Sequence, residues 1–240
     1  MRKIERVLRD MNGKQYIVKD LDDSFHTAND SIKKEELQKT GLIMSEKGKK
    51  YFCLKPGFAD LWDNLERGPQ IINRKDIGLI LSKTGVNGSF KCVDAGGGSG
   101  SLCLSLANVC KEITVYEINP EHHDVIARNV KLFGVNNLTL KQGNVYDGIE
   151  EEEVNLITLD LPEPWKVVES VKKSLVEGGH LVVYLPNLHQ VKTFLDNSRG
   201  LTVIDIVELL ERKWKITDKI MRPEFDMLGH TGFLIFCRKF

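Results

Sequence analysis

Apolar residues follow two different patterns along this chain of 240 residues, and the change falls near residue 70. Before that point, runs such as "RVLRDMNGKQYIVKD" alternate between apolar and polar residues, as half-buried strands do. Asn12-Gly13 divides this run, and Asn-Gly is a strong signal for a tight hairpin turn. "SEKGKKYFCLKP" indicates another hairpin arm, and "DSIKKEELQK" indicates a helical insert. The first 65 residues are therefore predicted to form a small β-rich domain.

After residue 70, strands and helices alternate. Five apolar, β-branched runs predict buried strands: "KCVDAGGG", "EITVYEIN", "NLTLKQG", "NLITLDL" and "GGHLVVYLP". Helical patterns follow several of them, and Pro120 suits the first turn of one helix. Such alternation is typical of βαβ units, which build a parallel sheet with helices on both faces.

The end of the chain departs from this alternation. "TVIDIVELLERKWKI" and "HTGFLIFCRKF" read as strands with no obvious helix between them. Two strands without a crossover helix predict an antiparallel pair at one edge of the sheet. The expected fold class is thus α/β: a doubly wound, seven-stranded sheet over residues 66–240, preceded by the small β-rich domain over residues 1–65.

Composition narrows the class of protein. No apolar run approaches the roughly 20 residues that span a bilayer, and "MRKIERVLRD" lacks the apolar core of a signal peptide, so a cytoplasmic protein is expected. The five cysteines form no CxxC pair and have no histidine at ligand spacing, which favours reduced core thiols and no metal site. The 34 basic and 34 acidic residues give zero net charge, which weighs mildly against a nucleic-acid partner, although local clusters can still build a positive surface.

A glycine-rich turn offers the clearest candidate chemistry. "VDAGGGSGS" joins a predicted strand to a predicted helix, and Glu117 ends the next strand about 20 residues later, where an acid binds a ribose diol. Dinucleotides and S-adenosylmethionine are both bound by this layout. The antiparallel strand pair and the lack of residues for a further catalytic domain favour S-adenosylmethionine.

The stretch "DLPEPW" closes the fourth strand of the predicted sheet. The carboxyl end of that strand lies beside the glycine turn in a doubly wound sheet, which makes Asp160 the candidate catalytic carboxylate. The two prolines restrict the backbone after Asp160 and fix its presentation. The alternative for Asp160 is a helix N-cap, and Trp165 suits either the pocket or the core.

Several stretches together carry a family resemblance. In order they are "LKPGFADLWDNLERGPQIINRKDIGLI", "VDAGGGSGSLCLSLA", "VYEINPEHHDVIARN", "GNVYDGI", "LDLPEPW", "GGHLVVYLPNLHQV" and "HTGFLIFCRK". The ordered set covers nearly the whole chain and resembles the tRNA (adenine-N1)-methyltransferases that act on adenine 58 in the T-loop. The resemblance implies a class I methyltransferase fold, S-adenosyl-L-methionine as cofactor, tRNA as substrate and a homotetramer.

The resemblance also assigns residues. It implies that the cofactor is bound by Gln70, Gly96, Gly98, Ser99, Gly100, Ser101, Glu117, His122, Asn144, Val145 and Asp160. His122 matches a ribose-side contact, or is a solvated helix histidine. Asn144 replaces the usual Asp beside the adenine, and its amide oxygen can still accept from the adenine amino group. Asp160 would accept a hydrogen bond from the target base.

The substrate side departs from the family at one point. Asn73-Arg74 stands where the family has Tyr-Pro, so a stacking aromatic is replaced by an arginine that can stack on a base, hold a phosphate or stay exposed in a loop. His230 matches a stretch that lines the target pocket, or has a structural role. The candidate phosphate contacts in the N-terminal domain are Lys33, Lys34, Lys47, Lys49, Lys50 and Lys55.

Three alternatives stay open from the sequence. In the first, the chain is a non-catalytic RNA-binding subunit of the same fold, although such subunits lose the glycine turn and the catalytic acid that are present here. In the second, it is an NAD-dependent oxidoreductase. In the third, it is a methyltransferase with another substrate, such as a small molecule. Adenine 57, in addition to adenine 58, is an open target of the leading interpretation.

Overall fold

A computed structural model describes residues 3–240. Its contacts group into two compact units. One contains the described residues up to Glu66 together with Lys131–Gly134, and the other contains Arg67–Val130 and Val135–Phe240. The units are defined by their internal contacts, which do not test whether each folds by itself. The two domains, residues 1–65 and 66–240, therefore stay a prediction.

The first unit is β-rich. Its strands are β1 (Arg6–Asp10), β2 (Gln15–Val18), β3 (Phe25–His26), β4 (Ser31–Ile32), β5 (Gly41–Met44) and β6 (Lys50–Leu54), and its helices are α1 (Lys34–Leu37) and α2 (Phe58–Asp63). Four strands form an antiparallel sheet in the order β2-β1-β6-β5, while β3 pairs with β4. One face of the larger sheet packs on a core that includes Leu8, Ile43, Tyr51 and Cys53.

The predicted Asn12-Gly13 hairpin is confirmed, because β1 and β2 pair across it. The Asp10 carboxylate accepts from the amides of Asn12 and Lys14, both at 3.0 Å, and so holds the turn. The predicted helical insert is a single turn, α1, which buries Leu37 in the core.

The second unit is an α/β sheet with helices. Its strands are β7 (Lys91–Ala95), β8 (Glu112–Glu117), β9 (Leu138–Gln142), β10 (Val154–Leu159), β11 (Leu175–Leu185), β12 (Thr202–Val207), β13 (Trp214–Thr217), β14 (Ile220–Pro223) and β15 (Phe233–Arg238). Its helices are α3 (Arg74–Thr84), α4 (Ser101–Ala107), α5 (Pro120–Phe133), α6 (Val168–Ser174) and α7 (Leu188–Asn197), with 3₁₀ turns at Val145–Asp147 and Pro164–Val167.

The large sheet has the order β12-β15-β11-β10-β7-β8-β9. Strands β7 to β11 pair in parallel, and β15 runs antiparallel between β11 and β12. The predicted fold class, with seven strands and an antiparallel pair at one edge, is confirmed. This order places the carboxyl ends of β7, β8 and β10 side by side, which is where a doubly wound sheet binds its ligand.

Three local expectations were incomplete or wrong. Arg74 begins helix α3, so the alternative that places it in a loop is wrong. The run "WKIT" does not continue β12 but pairs with β14 as a separate hairpin. The last strand begins at Phe233, so His230 and Thr231 precede it and do not open it.

Three further properties concern the described residues only. No helix among them is long and apolar enough to cross a membrane. No group of three or more His, Cys, Asp or Glu side chains between residues 3 and 240 is placed to hold a metal ion. All five cysteines are buried free thiols, as expected for core residues.

Candidate active site

The glycine turn is held in a shape that requires glycine. Gly96 has φ +87°, in the left-handed region, and a Cβ built on it would lie 2.1 Å from the carbonyl oxygen of Asp160. The amide of Asp160 donates to the carbonyl of Ala95 at 2.9 Å, which locks the end of β10 to the start of the turn. Because L side chains rarely adopt this backbone shape, Gly96 lets the turn pass directly against Asp160.

Glu117 and Ser99 hold the rest of the turn. The two carboxylate oxygens of Glu117 accept from the amides of Gly98 at 2.9 Å and of Asn119 at 2.8 Å. The Ser99 hydroxyl accepts from the amide of Gly68 at 3.0 Å and donates to the carbonyl of Pro69 at 3.2 Å. The structure therefore brings the predicted acid directly against the glycine turn.

His122 lies within reach of the same carboxylate. Its Nδ1 atom is 3.8 Å from Oε1 of Glu117, and its ring is partly exposed on the first turns of α5. This position fits both alternatives for His122, and its ribose contact stays a prediction.

Three carboxyl groups converge on the glycine turn. Asp94 is buried, accepts from the Thr158 hydroxyl at 2.5 Å, and has its pKa raised to about 7 by burial and by the charges of Asp160 and Glu117. Burial, followed by the charge of Glu117, raises the pKa of Asp160 to about 6. No lysine or arginine in the described part of the chain forms an ion pair with any of the three. Such a cluster favours a cationic ligand, because nearby positive charge would relieve the repulsion.

Asp160 lies between two cavities. The first is narrow and follows the glycine turn; it is lined by Gln70, Ile72, Asp94, Gly96, Gly97, Gly98, Ser99, Ser101, Leu102 and Asp160. The second has a volume of about 260 Å³ and is lined by Pro69, Gln70, Ile71, Ile72, Asp160, Tyr184, Pro186 and Thr231. Gln70, Ile72 and Asp160 line both cavities, so a group in either cavity lies beside the same carboxylate.

The prediction from the sequence missed a polar network at the second cavity. The Thr231 hydroxyl donates to the buried carboxylate of Asp76 at 2.9 Å, and Lys75 Nζ lies 2.6 Å from that hydroxyl and 2.8 Å from Asp76. Burial, with the charges of Asp76 and Asp160, raises the pKa of Tyr184 to about 12. These residues come from distant parts of the chain. Thr231 lies in the "HTGF" stretch that the resemblance places at the target pocket, whereas the stretches that contain Lys75, Asp76 and Tyr184 assign no role to them.

Tyr184 packs tightly on the backbone beside this network. A Cβ built on Gly232 would lie 2.5 Å from the Cζ atom of the Tyr184 ring. Gly232 thus gives the ring its place in the wall of the second cavity.

Asn73, Arg74 and His230 lie outside the walls of both cavities. Arg74 is the exposed first residue of α3, and Asn73 precedes that helix without capping it through its side chain. His230 is exposed, with Nδ1 2.5 Å from Glu208 Oε1 and Nε2 2.7 Å from the carbonyl of Pro186. Both partners are acceptors, and the hydrogen bonds to the Glu208 carboxylate and the Pro186 carbonyl raise the pKa of His230. Their substrate contacts stay predictions.

Asn144 has one of its two polar atoms engaged. Its Oδ1 atom accepts from the amide of Tyr146 at 3.1 Å and caps the turn Val145–Asp147, in which Val145 is buried. Its Nδ2 atom has no hydrogen-bond partner among residues 3–240. An adenine amino group would therefore be a second donor to Oδ1, beside the Tyr146 amide, an arrangement that the sequence does not reveal.

The corner after Asp160 differs in detail from the predicted one. A 3₁₀ turn begins at Pro164 with Glu163 before it, so Asp160 is not the N-cap of the following helix. Trp165 is partly buried against the main core, which favours the core alternative.

Comparisons with known proteins agree with this geometry. The profile of the family described as "tRNA methyltransferase complex GCD14 subunit" matches residues 51–224. A tRNA (adenine(57)-N(1)/adenine(58)-N(1))-methyltransferase of Methanocaldococcus jannaschii is 30% identical, over 97% of this chain and 94% of its own. A tRNA (adenine(58)-N(1))-methyltransferase of Thermus thermophilus is 28% identical, over 97% of this chain and 96% of its own.

Two solved structures resemble the whole chain. The tRNA (m1A58) methyltransferase of Aquifex aeolicus has a TM-score of 0.83 at 27% identity, with 100% of this chain and 98% of that chain covered. A SAM-dependent O-methyltransferase of Thermotoga maritima has a TM-score of 0.85 at 27% identity, with 100% and 94% covered.

Proposed function

We propose that this chain, which belongs to the GCD14 family of tRNA methyltransferase complex subunits, transfers a methyl group from S-adenosyl-L-methionine to N1 of adenine 58 in the T-loop of tRNA. The observation that carries the proposal is the position of Asp160 between the glycine-turn cavity and the second cavity. Relatives named for adenine 58 support the choice of target. Adenine 57 is an additional candidate, because one relative is named for both positions.

The site fits the proposed cofactor on two observations. A cavity is lined by the glycine turn, so the backbone of the turn is open to a ligand. Three carboxyl groups that have no paired lysine or arginine among residues 3–240 favour a cation. When bound, S-adenosylmethionine supplies an electrophilic methyl group on a positively charged sulfur. The proposed contacts are Gln70, Gly96, Gly98, Ser99, Gly100, Ser101, Glu117, His122, Asn144, Val145 and Asp160.

Asp160 is the proposed catalytic residue. The adenine N1 lone pair needs no strong base, but N1 gains positive charge as it is methylated. A carboxylate that accepts a hydrogen bond from the N6 amino group stabilises that charge in the transition state. Because the pKa of Asp160 is about 6, the group is mostly ionised at pH 7 and above and able to accept.

The polar network positions the substrate side. Thr231, Asp76 and Lys75 are hydrogen-bonded to one another at the second cavity, and Tyr184 forms part of its wall. A fixed wall restricts the orientation of a base that is removed from its stack, and orientation supplies much of the acceleration in a methyl transfer.

The alternatives are weaker. A non-catalytic subunit would not need the glycine turn, Glu117 and Asp160 to be assembled in one place. An oxidoreductase does not account for the antiparallel strand β15 within the sheet, nor for the family match. A methyltransferase with another acceptor is the remaining alternative, and the choice of RNA substrate tests it.

We also infer a homotetramer, as the family resemblance implies. Large apolar side chains on the hairpin β13–β14 and the segment after it are exposed: Trp214 by 55%, Ile216 by 67%, Met221 by 75% and Phe225 by 84%. Such a patch is typical of a surface covered by another chain. Light scattering that gives a monomeric mass would contradict the tetramer.

The decisive test is methylation of an unmodified tRNA transcript with labelled S-adenosylmethionine, followed by nucleoside analysis. We expect label in 1-methyladenosine, lost when adenine 58 of the transcript is replaced by uridine. Transcripts altered at position 57 report on the second target. Label in another nucleoside, or equal label without adenine 58 and adenine 57, would overturn the proposal.

A further inference from the structure

Strands β5 and β6 of the N-terminal sheet present apolar side chains that are exposed. Strand β6 alternates, with Tyr51 and Cys53 in the core and Phe52 and Leu54 outward, exposed by 43% and 46%. On β5, Leu42 and Met44 point outward with exposures of 55% and 53%. An antiparallel sheet usually presents polar residues on its solvent side, so this face indicates a binding surface.

The same face carries positive charge. Arg9 lies opposite Phe52 in the register of β1 and β6, and Lys50 lies opposite Met44 in that of β5 and β6. We define the outer face as Arg9, Leu42, Met44, Lys50, Phe52 and Leu54.

No carboxylate occupies an outward position on these three strands. Asp10 is turned inward, is 5% exposed and is bound by Lys49 at 2.9 Å. Glu46, which follows β5, already pairs with Lys33 at 3.6 Å. The cations of the outer face are therefore not neutralised within the sheet.

We propose that the outer face binds the RNA substrate. Phe52 offers a ring on which an unpaired base stacks, and Arg9 and Lys50 flank it as phosphate contacts. This inference rests on the proposed function, since it names a second surface for the same substrate. It also reconciles RNA binding with the zero net charge of the chain, because a local positive face is sufficient to bind a polyanion.

A second copy of the chain fits this face less well. A symmetric dimer formed by two outer faces would bring Arg9 and Lys50 of both copies together without a carboxylate on either side. RNA supplies the negative charge that such an arrangement lacks.

The test measures binding of unmodified full-length tRNA by fluorescence anisotropy. We expect Phe52→Ala to raise the Kd about 10-fold, within the roughly 5- to 100-fold range of a lost base stack. Arg9→Glu and Lys50→Glu should each raise the Kd and reduce the slope of log Kd against log salt by about 1, between about 50 and 200 mM salt.

Lys39→Glu is the matched control. Lys39 is an exposed cation of the same unit that pairs with Glu36, just after α1, whose Leu37 packs on the opposite, core face of the sheet. We expect its tRNA affinity to stay within about twofold of wild type. S-adenosylmethionine affinity, measured by calorimetry, should be unchanged in all variants, which shows that each is folded.

The outcomes separate the two proposals. If wild type methylates adenine 58 but the three variants bind tRNA as tightly as Lys39→Glu, the outer face does not bind RNA and the proposed function stands. If Phe52→Ala leaves tRNA affinity intact and lowers the mass by light scattering, the face is an interface between copies and the inference is wrong. If wild type methylates no adenine in tRNA, the proposed function fails first.

Discussion

Asp160 and Gly96 meet through their backbones, with a Cβ on Gly96 placed only 2.1 Å from the carbonyl oxygen of Asp160. The amide of Asp160 is hydrogen-bonded to Ala95, the residue before Gly96. The glycine turn and the backbone that presents Asp160, the proposed catalytic carboxylate, thus form one junction. A side chain at position 96 would displace both.

Gly96→Ala should therefore abolish binding as well as turnover. A methyl group at this position requires a backbone shift and a left-handed φ, which together cost about 2–4 kcal/mol of unfolding free energy. Calorimetry with S-adenosylhomocysteine and urea denaturation measure the two effects. Gly88→Ala is the control, because no heavy atom lies within 4 Å of a Cβ there and its φ is not positive. Equal cofactor affinity in Gly96→Ala and Gly88→Ala would show that the close packing of Gly96 on Asp160 is not needed for cofactor binding.

Asp160→Asn should stabilise the protein at neutral pH while it removes activity. The pKa of Asp160 is raised from 3.8 to about 6, so the folded protein retains a proton between these values that the unfolded chain releases. The free energy of unfolding therefore falls as pH rises through this window. Above pH 6 it is lowered by the full cost of burying the ionised Asp160 carboxylate. The variant should gain up to about 3 kcal/mol at pH 8 and nothing near pH 4.

Urea denaturation of wild type and Asp160→Asn at both pH values tests this, with methylation of tRNA transcript as the activity assay. Asp147→Asn is the control, since Asp147 is exposed and its replacement relieves no buried charge. A stability gain that does not depend on pH would show that burial of the Asp160 charge is not its cause.

The sequence predicted the sheet because each parallel strand is a short, fully buried run of branched apolar residues between turn signals. Strands β7, β8 and β10 are of this kind, and their ends carry Ala95, Glu117 and Asp160 in local motifs. The hairpin β13–β14 was missed because its turn, Asp218-Lys219, contains no glycine or asparagine. Short polar runs of this kind give no turn signal.

The substrate side of the site was predicted poorly for a different reason. Asp76, Tyr184 and Thr231 lie far apart in sequence, and only the folded chain brings them together. All three lie in stretches that carry the family resemblance, but no spacing or turn signal in those stretches shows that they meet. The residues flagged by family motifs, Asn73 and His230, lie beside this network and not within the cavity walls.

Asn144→Asp should strengthen cofactor binding. The single oxygen of Asn144 already caps the following turn through Tyr146, whereas a carboxylate can keep the cap on one oxygen and offer the other to the adenine amino group. We expect the Kd for S-adenosylhomocysteine to fall about 3- to 10-fold. Asn144→Ala should lose both interactions, with weaker binding and about 1 kcal/mol less stability. Unchanged affinity in Asn144→Asp would mean that the adenine amino group does not use this position.

Gly232→Ala should damage the substrate side alone. A methyl group at this position would lie 2.5 Å from the Tyr184 ring, so the ring must leave its place in the second cavity. Because the glycine turn is untouched, S-adenosylmethionine affinity should stay within about threefold of wild type, while kcat/KM for tRNA falls about 100-fold, the loss expected when a reacting group is misplaced by roughly 1 Å.

Gly229→Ala is the control for Gly232→Ala. It shows whether activity is lost when any glycine of this segment is replaced by alanine. Gly229 lies three residues earlier, and no heavy atom is within 4 Å of a Cβ built there. Its kcat/KM should match that of wild type. Similar activity in Gly232→Ala and Gly229→Ala would show that the Tyr184 ring does not position the substrate. Loss of S-adenosylmethionine affinity in Gly232→Ala would show instead that the two cavities do not act independently.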